Sequence, residues 1–176
     1  KYFFISLFSK IKTLTVKFGN WALIIPMANE EKEFWEFINE LKKVIEVNPP
    51  GKIYLVVDKI SQDLTLNLCN KLSKDDPRFN TIWAPENKNV VDAYLKGLSV
   101  AFNNGHDFFI EMDAGLSHDP NAIPIFLKAL NEDNECAFGS RFIKGGSMTE
   151  SPLNRILLSI TGTVLAKILL GSSLSD

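Results

Sequence analysis

Cysteine and histidine are scarce in this sequence, with two residues of each. Cys69 and Cys136 stand far apart, with no C-x-x-C spacing and no Cys/His cluster near either. That excludes a disulfide framework and a structural zinc site, and both are expected as small buried side chains in a reducing compartment. Neither sign of charge dominates, since 19 Lys and Arg face 21 Asp and Glu for a net charge of −2. A pI near 5.8 leaves no electrostatic case for nucleic acid as the main partner. No apolar run reaches the roughly 18 residues that a spanning helix needs. The opening KYFFISLF is too short to cross a bilayer or to make a signal peptide, so residues 1–20 are a leader of unknown role. Repeats and low-complexity tracts are missing too. The chain opens on Lys1 and stops at Asp176, and is expected to be a piece of a longer one.

What is present fits one globular domain, expected over residues 21–150. A length of 176 residues supports a full core, and 45% hydrophobic with 23% charged residues excludes disordered and fibrous classes. WALIIP at 21–26 is a continuous apolar run stopped by proline, as expected for a strand buried on both faces. A helix opening at Asn29, Glu30 and Glu31 follows, with Phe34, Ile38, Leu41 and Ile45 on one stripe. IYLVV at 53–57 predicts a second strand with Asp58 at its carboxyl end. Ser61 and Asp63 can cap the next helix, whose expected core face is Leu64, Leu68, Cys69 and Leu72. Residues 81–83 predict a short strand, and 88–102 a helix with Val91, Tyr94, Leu95, Leu98 and Phe102 inward. A strand at 108–112 and a helix with Ile123, Phe126, Leu127 and Leu130 inward come next, then a strand starting at 135–138.

Strands alternating with helices imply an α/β fold with a mostly parallel sheet covered on both sides. Parallel strands put their carboxyl ends on one edge, where ligands bind in open sheets. Four ends should therefore share a cleft, bringing Pro26 to Glu30, Asp58, Asp113 and Ser140-Arg141 together. Asp113, followed by a turn at Gly115, is placed to hold a hydrated divalent metal and through it a diphosphate. The plainer alternative is that Asp113 caps a turn or the helix starting near Pro120. Residues 151–171 stand apart: ILLSITGTVLAKILL carries one charge and is apolar nearly all round. Three readings stay open: a helix buried against a missing partner, one lying on a membrane surface, and a plain core helix.

Taken together, these motifs resemble the inverting glycosyltransferases of the GT-A fold (family 2), and within them the dolichol-phosphate mannose synthase-like, polyprenyl-phosphate group. PMANEE matches the first-strand signature of proline, a variable pair and Asn-Glu, which implies that Pro26, Ala28 and Glu30 flank the nucleotide base and ribose. VVDKISQD matches the segment whose aspartate, here Asp58, reads the base. MDAGLSHDP matches the metal segment, giving Asp113 a catalytic and nucleotide-binding role with Mg2+ or Mn2+ as cofactor. GSRFIKGGS matches the segment whose Arg141 meets phosphate groups in catalysis and acceptor binding. SPLNRILLSITGTVLAKILLG resembles the group's interfacial helix, with Arg155 and Ser159 at the acceptor phosphate.

The resemblance implies transfer of a sugar from GDP-mannose or a UDP-hexose to a polyprenyl or dolichyl phosphate, with inversion. Partners are then a nucleotide-sugar, a lipid phosphate and a membrane surface, without nucleic acid. The implied location is the cytoplasmic face of a membrane, peripheral unless further helices follow Asp176. An alcohol acceptor needs a carboxylate base, whereas a phosphate acceptor is already anionic, and Gly139-Ser140-Arg141 offers a cation instead of an acid. Departures from the pattern are also visible: Gly115 replaces the second aspartate of the metal motif, Lys59 replaces an acidic residue, and Asn89 and Val91 replace glycines. Two alternatives follow, an enzyme acting on a polysaccharide or other sugar acceptor, and a catalytically silent nucleotide-sugar-binding relative. A nucleotidyltransferase lacks support, because no glycine-rich, lysine-bearing loop follows the first strand.

Overall fold

The computed structural model of the protein describes residues 20–115, 118–131, 134–140 and 153–170. Its strands are β1 (Trp21–Met27), β2 (Lys52–Val57), β3 (Phe79–Trp83) and β4 (Phe108–Glu111). Between them run α1 (Phe34–Val47), α2 (Thr65–Asp75) and α3 (Val90–Asn103). A 3-10 turn at Pro120–Ala122 leads into α4 (Ile123–Asn131), and α5 (Leu153–Leu170) follows later. All four strands pair in parallel in the order β3-β2-β1-β4. The expected α/β architecture is therefore present. This sheet-bearing unit ends at Phe138, and Gly139, Ser140 and α5 belong to a second unit.

Alternate residues of the strands feed two cores. Leu23, Ile25, Ile53, Leu55, Val57 and Ile110 pack with the buried faces of α1, α2 and α4. Ala22, Ile24, Tyr54, Val56 and Phe109 pack with α3 through Ala93 and Ala101. Burial on both faces is why β1 and β2 read as unbroken apolar runs, each large side chain contributing about 1.5–3 kcal/mol. The strand does not stop at Pro26, as its proline suggested, but runs on to Met27. Ile24 accepts from Met112 N–H on the β4 side, and the last β1–β4 pair is Ile24 with Glu111. Pro26, two residues on, turns its nitrogen to that same side just past the paired region, where no ladder bond is lost.

Other expectations need correction. The helix expected from Asn29 starts at Phe34, because Asn29 takes a left-handed backbone (φ 59°) and its neighbours bond to the loop after β2. No strand forms at 135–138, where only an isolated bridge at Phe138 appears. Leu64 is exposed and precedes α2, whose buried residues are Thr65, Cys69 and Leu72. Cys136 is exposed in the irregular stretch after α4, unlike buried Cys69. In α4, by contrast, Ile123, Phe126, Leu127 and Leu130 are all buried as expected.

The largest difference is the face of α3. Val91, Leu95 and Phe102 are exposed, Tyr94 and Leu98 are half-buried, and the stripe on the sheet is Ala93, Gly97 and Ala101. Small side chains let the helix axis come close. A Cβ at position 97 would collide with Cγ2 of Ile24 and stand 3.1 Å from Cγ2 of Val56. Ile24 is fully buried and has no room to yield. Asn89 caps α3 from an extended backbone, its side chain accepting from Asp92 N–H at 3.1 Å. Gly97→Ala should therefore cost about 1–3 kcal/mol of stability through overpacking, despite alanine's better helix propensity. Urea unfolding checks this, and a stabilised variant would mean that α3 does not sit this close to β1.

Candidate functional site

Parallel pairing brings the strand ends level, with Met27 opposite Val57 in the β1–β2 register. Beyond them opens a cavity of about 440 Å³ lined by Pro26, Ala28, Glu30, Asp58 and Asp113. Met27, Ile60, Val90 and Ala114 complete its wall with apolar surface. A few polar groups converging on an apolar wall, at this size, is the usual make-up of a small-molecule site. All five nucleotide-site positions expected from the sequence thus lie together. Of the pair expected after the strand at 135–138, Ser140 belongs to the other unit and Arg141 lies outside the described residues.

The β1 side of the cavity is held by a clasp between two loops. Asn29 accepts from Gln62 N–H at 3.0 Å through Oδ1, and its Nδ2 donates to the Ile60 carbonyl at 3.3 Å. Glu30 N–H donates to Oγ1 of buried Thr65 at 2.8 Å, and Glu31 N–H to Oδ2 of Asp63 at 3.0 Å. The left-handed backbone at Asn29 is one that asparagine tolerates better than most residues. Asp58 is buried and accepts from Ile60 N–H at 2.8 Å, which ties its carboxylate to the same loop.

Asp113 sits just beyond β4. Its Oδ1 accepts from the Tyr94 hydroxyl at 2.6 Å, and its N–H donates to Nδ1 of His118 at 2.9 Å. Nε2 of that buried ring stands 3.5 Å from Oδ2 of Asp113. Because Nδ1 accepts, the proton of the neutral ring is on Nε2; burial lowers the ring's pKa and favours that neutral form. Asp119 serves the turn, accepting from Asn121 N–H at 3.1 Å, whereas His118 meets Asp113.

Negative charge crowds this corner. Burial raises the Glu30 pKa, and the charges of Glu33, Asp63 and Asp113 raise it further. Gly115 is left-handed at φ 75°, and a Cβ there would stand 3.4 Å from Oε2 of Glu30 and 3.5 Å from Oε2 of Glu33. Carboxylates from the β1 loop thus face the spot where a second aspartate would begin. Beneath, Glu111 is buried and its carboxyl is pushed up to about 7 by desolvation. Among the described residues, no three His, Cys, Asp or Glu side chains gather as a metal cage.

On α5, Ser159 is half-buried, and the side chain of Arg155 lies outside the described residues. Leu157, Leu158, Val164, Leu165, Ile168 and Leu169 form an exposed apolar surface along α5. No described helix is long and apolar enough to cross a membrane. Sequence reasoning missed Tyr94 and Glu33 at the site. Tyr94 read only as a core position, although a tyrosine in an apolar stripe needs a partner for its hydroxyl; Glu33 carried no signal.

The profile described as "Glycosyl transferase family 2" matches residues 22–173. The chain is 30% identical over 153 residues to the "Undecaprenyl-phosphate mannosyltransferase" of Micrococcus luteus, covering 87% of this chain and 61% of that protein. It is 30% identical over 155 residues to the "Polyprenol monophosphomannose synthase" of Mycolicibacterium smegmatis, covering 88% and 57%. It is also 30% identical over 151 residues to the "Dolichol-phosphate mannosyltransferase" of Pyrococcus furiosus, covering 85% and 41%. The chain thus spans from 41% to 61% of the length of these curated relatives.

The carboxylate crowding at Gly115 is testable with a matched pair of variants. Gly115→Asn should lose about 1–2 kcal/mol from the left-handed backbone alone. Gly115→Asp should lose more, and the excess over asparagine should shrink as salt is raised. Urea titrations at low and high ionic strength measure both, and equal losses at every salt concentration would place Glu30 and Glu33 away from this position.

Proposed function

Because the chain belongs to glycosyl transferase family 2, we propose that it transfers a sugar from a nucleoside-diphosphate donor to a polyprenyl phosphate, with inversion. The observation that carries this reading is the meeting of Asp58 and Asp113, from different strand ends, in one cavity. Asp58 accepts donors from the base, while Pro26, Ala28 and Glu30 flank base and ribose, and Asp113 faces the diphosphate. Mannose is the favoured sugar, since the names of the three relatives all carry it.

A divalent cation fits this corner in one way. Asp113 offers a carboxylate whose side chain is 50% exposed, and its charge, with those of Glu33 and Asp63, adds to burial in raising the pKa of Glu30. With no protein cage among the described residues, Mg2+ or Mn2+ would be held by Asp113 together with the donor's phosphates and water, the usual habit of magnesium. Bound there, such an ion supplies neutralising charge for the departing diphosphate.

The remaining chemistry belongs to the chain's own residues. Arg141 pairs with phosphate oxygens, and Arg155 and Ser159 orient the acceptor phosphate, which needs no general base because it is already anionic. Its oxygen attacks the anomeric carbon as the bond to the nucleoside diphosphate breaks. One displacement inverts the centre, and no covalent enzyme intermediate forms. The apolar sequence of α5, with a single lysine near its end and one arginine near its start, favours a lipid over a polysaccharide as the acceptor's source.

The test is transfer of radiolabelled sugar by the full-length protein, with GDP-mannose and UDP-hexose offered separately to polyprenyl phosphate and to a soluble polysaccharide. Label should enter the lipid phase, and Asp113→Ala should lower the rate at least about 100-fold. Label entering only polysaccharide would support the sugar-acceptor enzyme. Absence of transfer from every donor would leave the catalytically silent relative.

A further inference from the structure

Asp113 is not a free carboxylate. Its Oδ1 takes a short hydrogen bond of 2.6 Å from Tyr94, and its own N–H is committed to His118. A short bond to an ionised acceptor is among the stronger kinds and fixes direction as well as distance. The donor is itself anchored, because Tyr94 follows Ala93 on the stripe that presses α3 onto the sheet and packs against that core. Burial, and then the hydrogen bond to Asp113, push the Tyr94 hydroxyl well above its ordinary pKa, so the proton stays on tyrosine. With Oδ1 committed, Oδ2 is the oxygen left for a ligand. It is within 3.5 Å of Nε2 of His118, on a side chain that is 50% exposed and lines the cavity.

We propose that Tyr94 is a positioning residue: through Asp113 it presents Oδ2 to the divalent cation that accompanies the donor's diphosphate. This rests on the nucleotide-sugar reading above. The need for it follows from Gly115. Where two aspartates share a cation, slack in one is limited by the other; here position 115 supplies no side chain, and Asp113 must hold its orientation alone. Any rotation of that carboxylate comes directly out of affinity, and groups that orient a metal ligand typically matter 10–100-fold. The competing account is that Tyr94 is a packed tyrosine whose hydroxyl takes the nearest acceptor. Under that account its loss changes stability and leaves cation binding alone.

The experiment measures Mn2+ binding to the full chain by the paramagnetic resonance signal of free Mn2+, with saturating GDP in one arm and UDP in the other. Wild type, Tyr94→Phe, Tyr94→Leu and Asp113→Ala are compared, and metal-free unfolding is recorded for each. Both Tyr94 variants should bind Mn2+ about 10–100-fold more weakly and by similar factors, although leucine, losing the ring, should unfold more readily. Nucleotide affinity without metal should not change. Mn2+ affinity within about twofold of wild type in Tyr94→Phe overturns the proposal, as does a loss that tracks unfolding across the two variants. If wild type matches Asp113→Ala with both nucleotides, the nucleotide-sugar reading fails as well. If only Asp113→Ala is impaired, that reading stands and the positioning role falls.

Discussion

Parallel pairing of β1 with β2 on one side and β4 on the other is the constraint from which the site follows. Parallel neighbours cannot be joined by tight hairpins, so each connection crosses a face of the sheet as a helix and buries it. Both faces of β1 are consequently sealed, and its residues from Trp21 to Ile25 are at most 1% exposed. What the pairing leaves open is the edge beyond the strand ends. Pro26 sits where the strand leaves its β4 partner, and the chain beyond Met27 is free to bend into the Asn29 clasp. Loops after β1 and β2 are then tied to one another before any ligand arrives, which lowers the ordering cost of binding.

A second dependency runs through α3. The helix lies close to the sheet because Ala93, Gly97 and Ala101 present almost no side chain to Ile24 and Val56. That proximity sets the height of Tyr94 over the sheet edge and so the reach of its hydroxyl to Asp113. The packing of a helix and the geometry of a carboxylate are thereby one problem. Around Glu30 the chain has gathered Glu33, Asp63 and Asp113, and their charge adds to burial in raising the pKa of Glu30. A glycine at 115 spares this corner another negative side chain, and a cation brought in with a diphosphate would relieve the rest.

Much of this was legible in the sequence wherever a periodic pattern decided the outcome. Apolar runs in β1 and β2, and the stripes of α1 and α4, predict elements and inward faces because hydrophobic burial dominates there. On α3 the same logic points to the wrong face: Val91, Leu95 and Phe102 are the more hydrophobic set, yet close approach to the sheet selects the smallest residues. Residues 135–138 carry a strand-like composition, but only Phe138 finds a bridging partner, and pairing is a property of the neighbour as much as of the segment. For the site, the rule of strand ends brings Pro26, Ala28, Glu30, Asp58 and Asp113 together correctly. Glu33 and Tyr94 reach the same corner from a loop and a helix, and no spacing in the sequence encodes either approach. Asn89, which replaces a glycine, is extended to cap a helix, while Asn29, which must turn between two loops, is the asparagine that takes the left-handed backbone.

The measurement closest to the central claim is a crystal structure of the protein grown with Mn2+ and, in parallel drops, GDP or UDP. One nucleotide should occupy the cavity at the carboxyl edge of the sheet, its base against Asp58 and its diphosphate toward Asp113, with the Mn2+ anomalous peak beside Oδ2. A nucleotide bound elsewhere, or an anomalous peak away from Asp113 with the base turned from Asp58, would contradict the account.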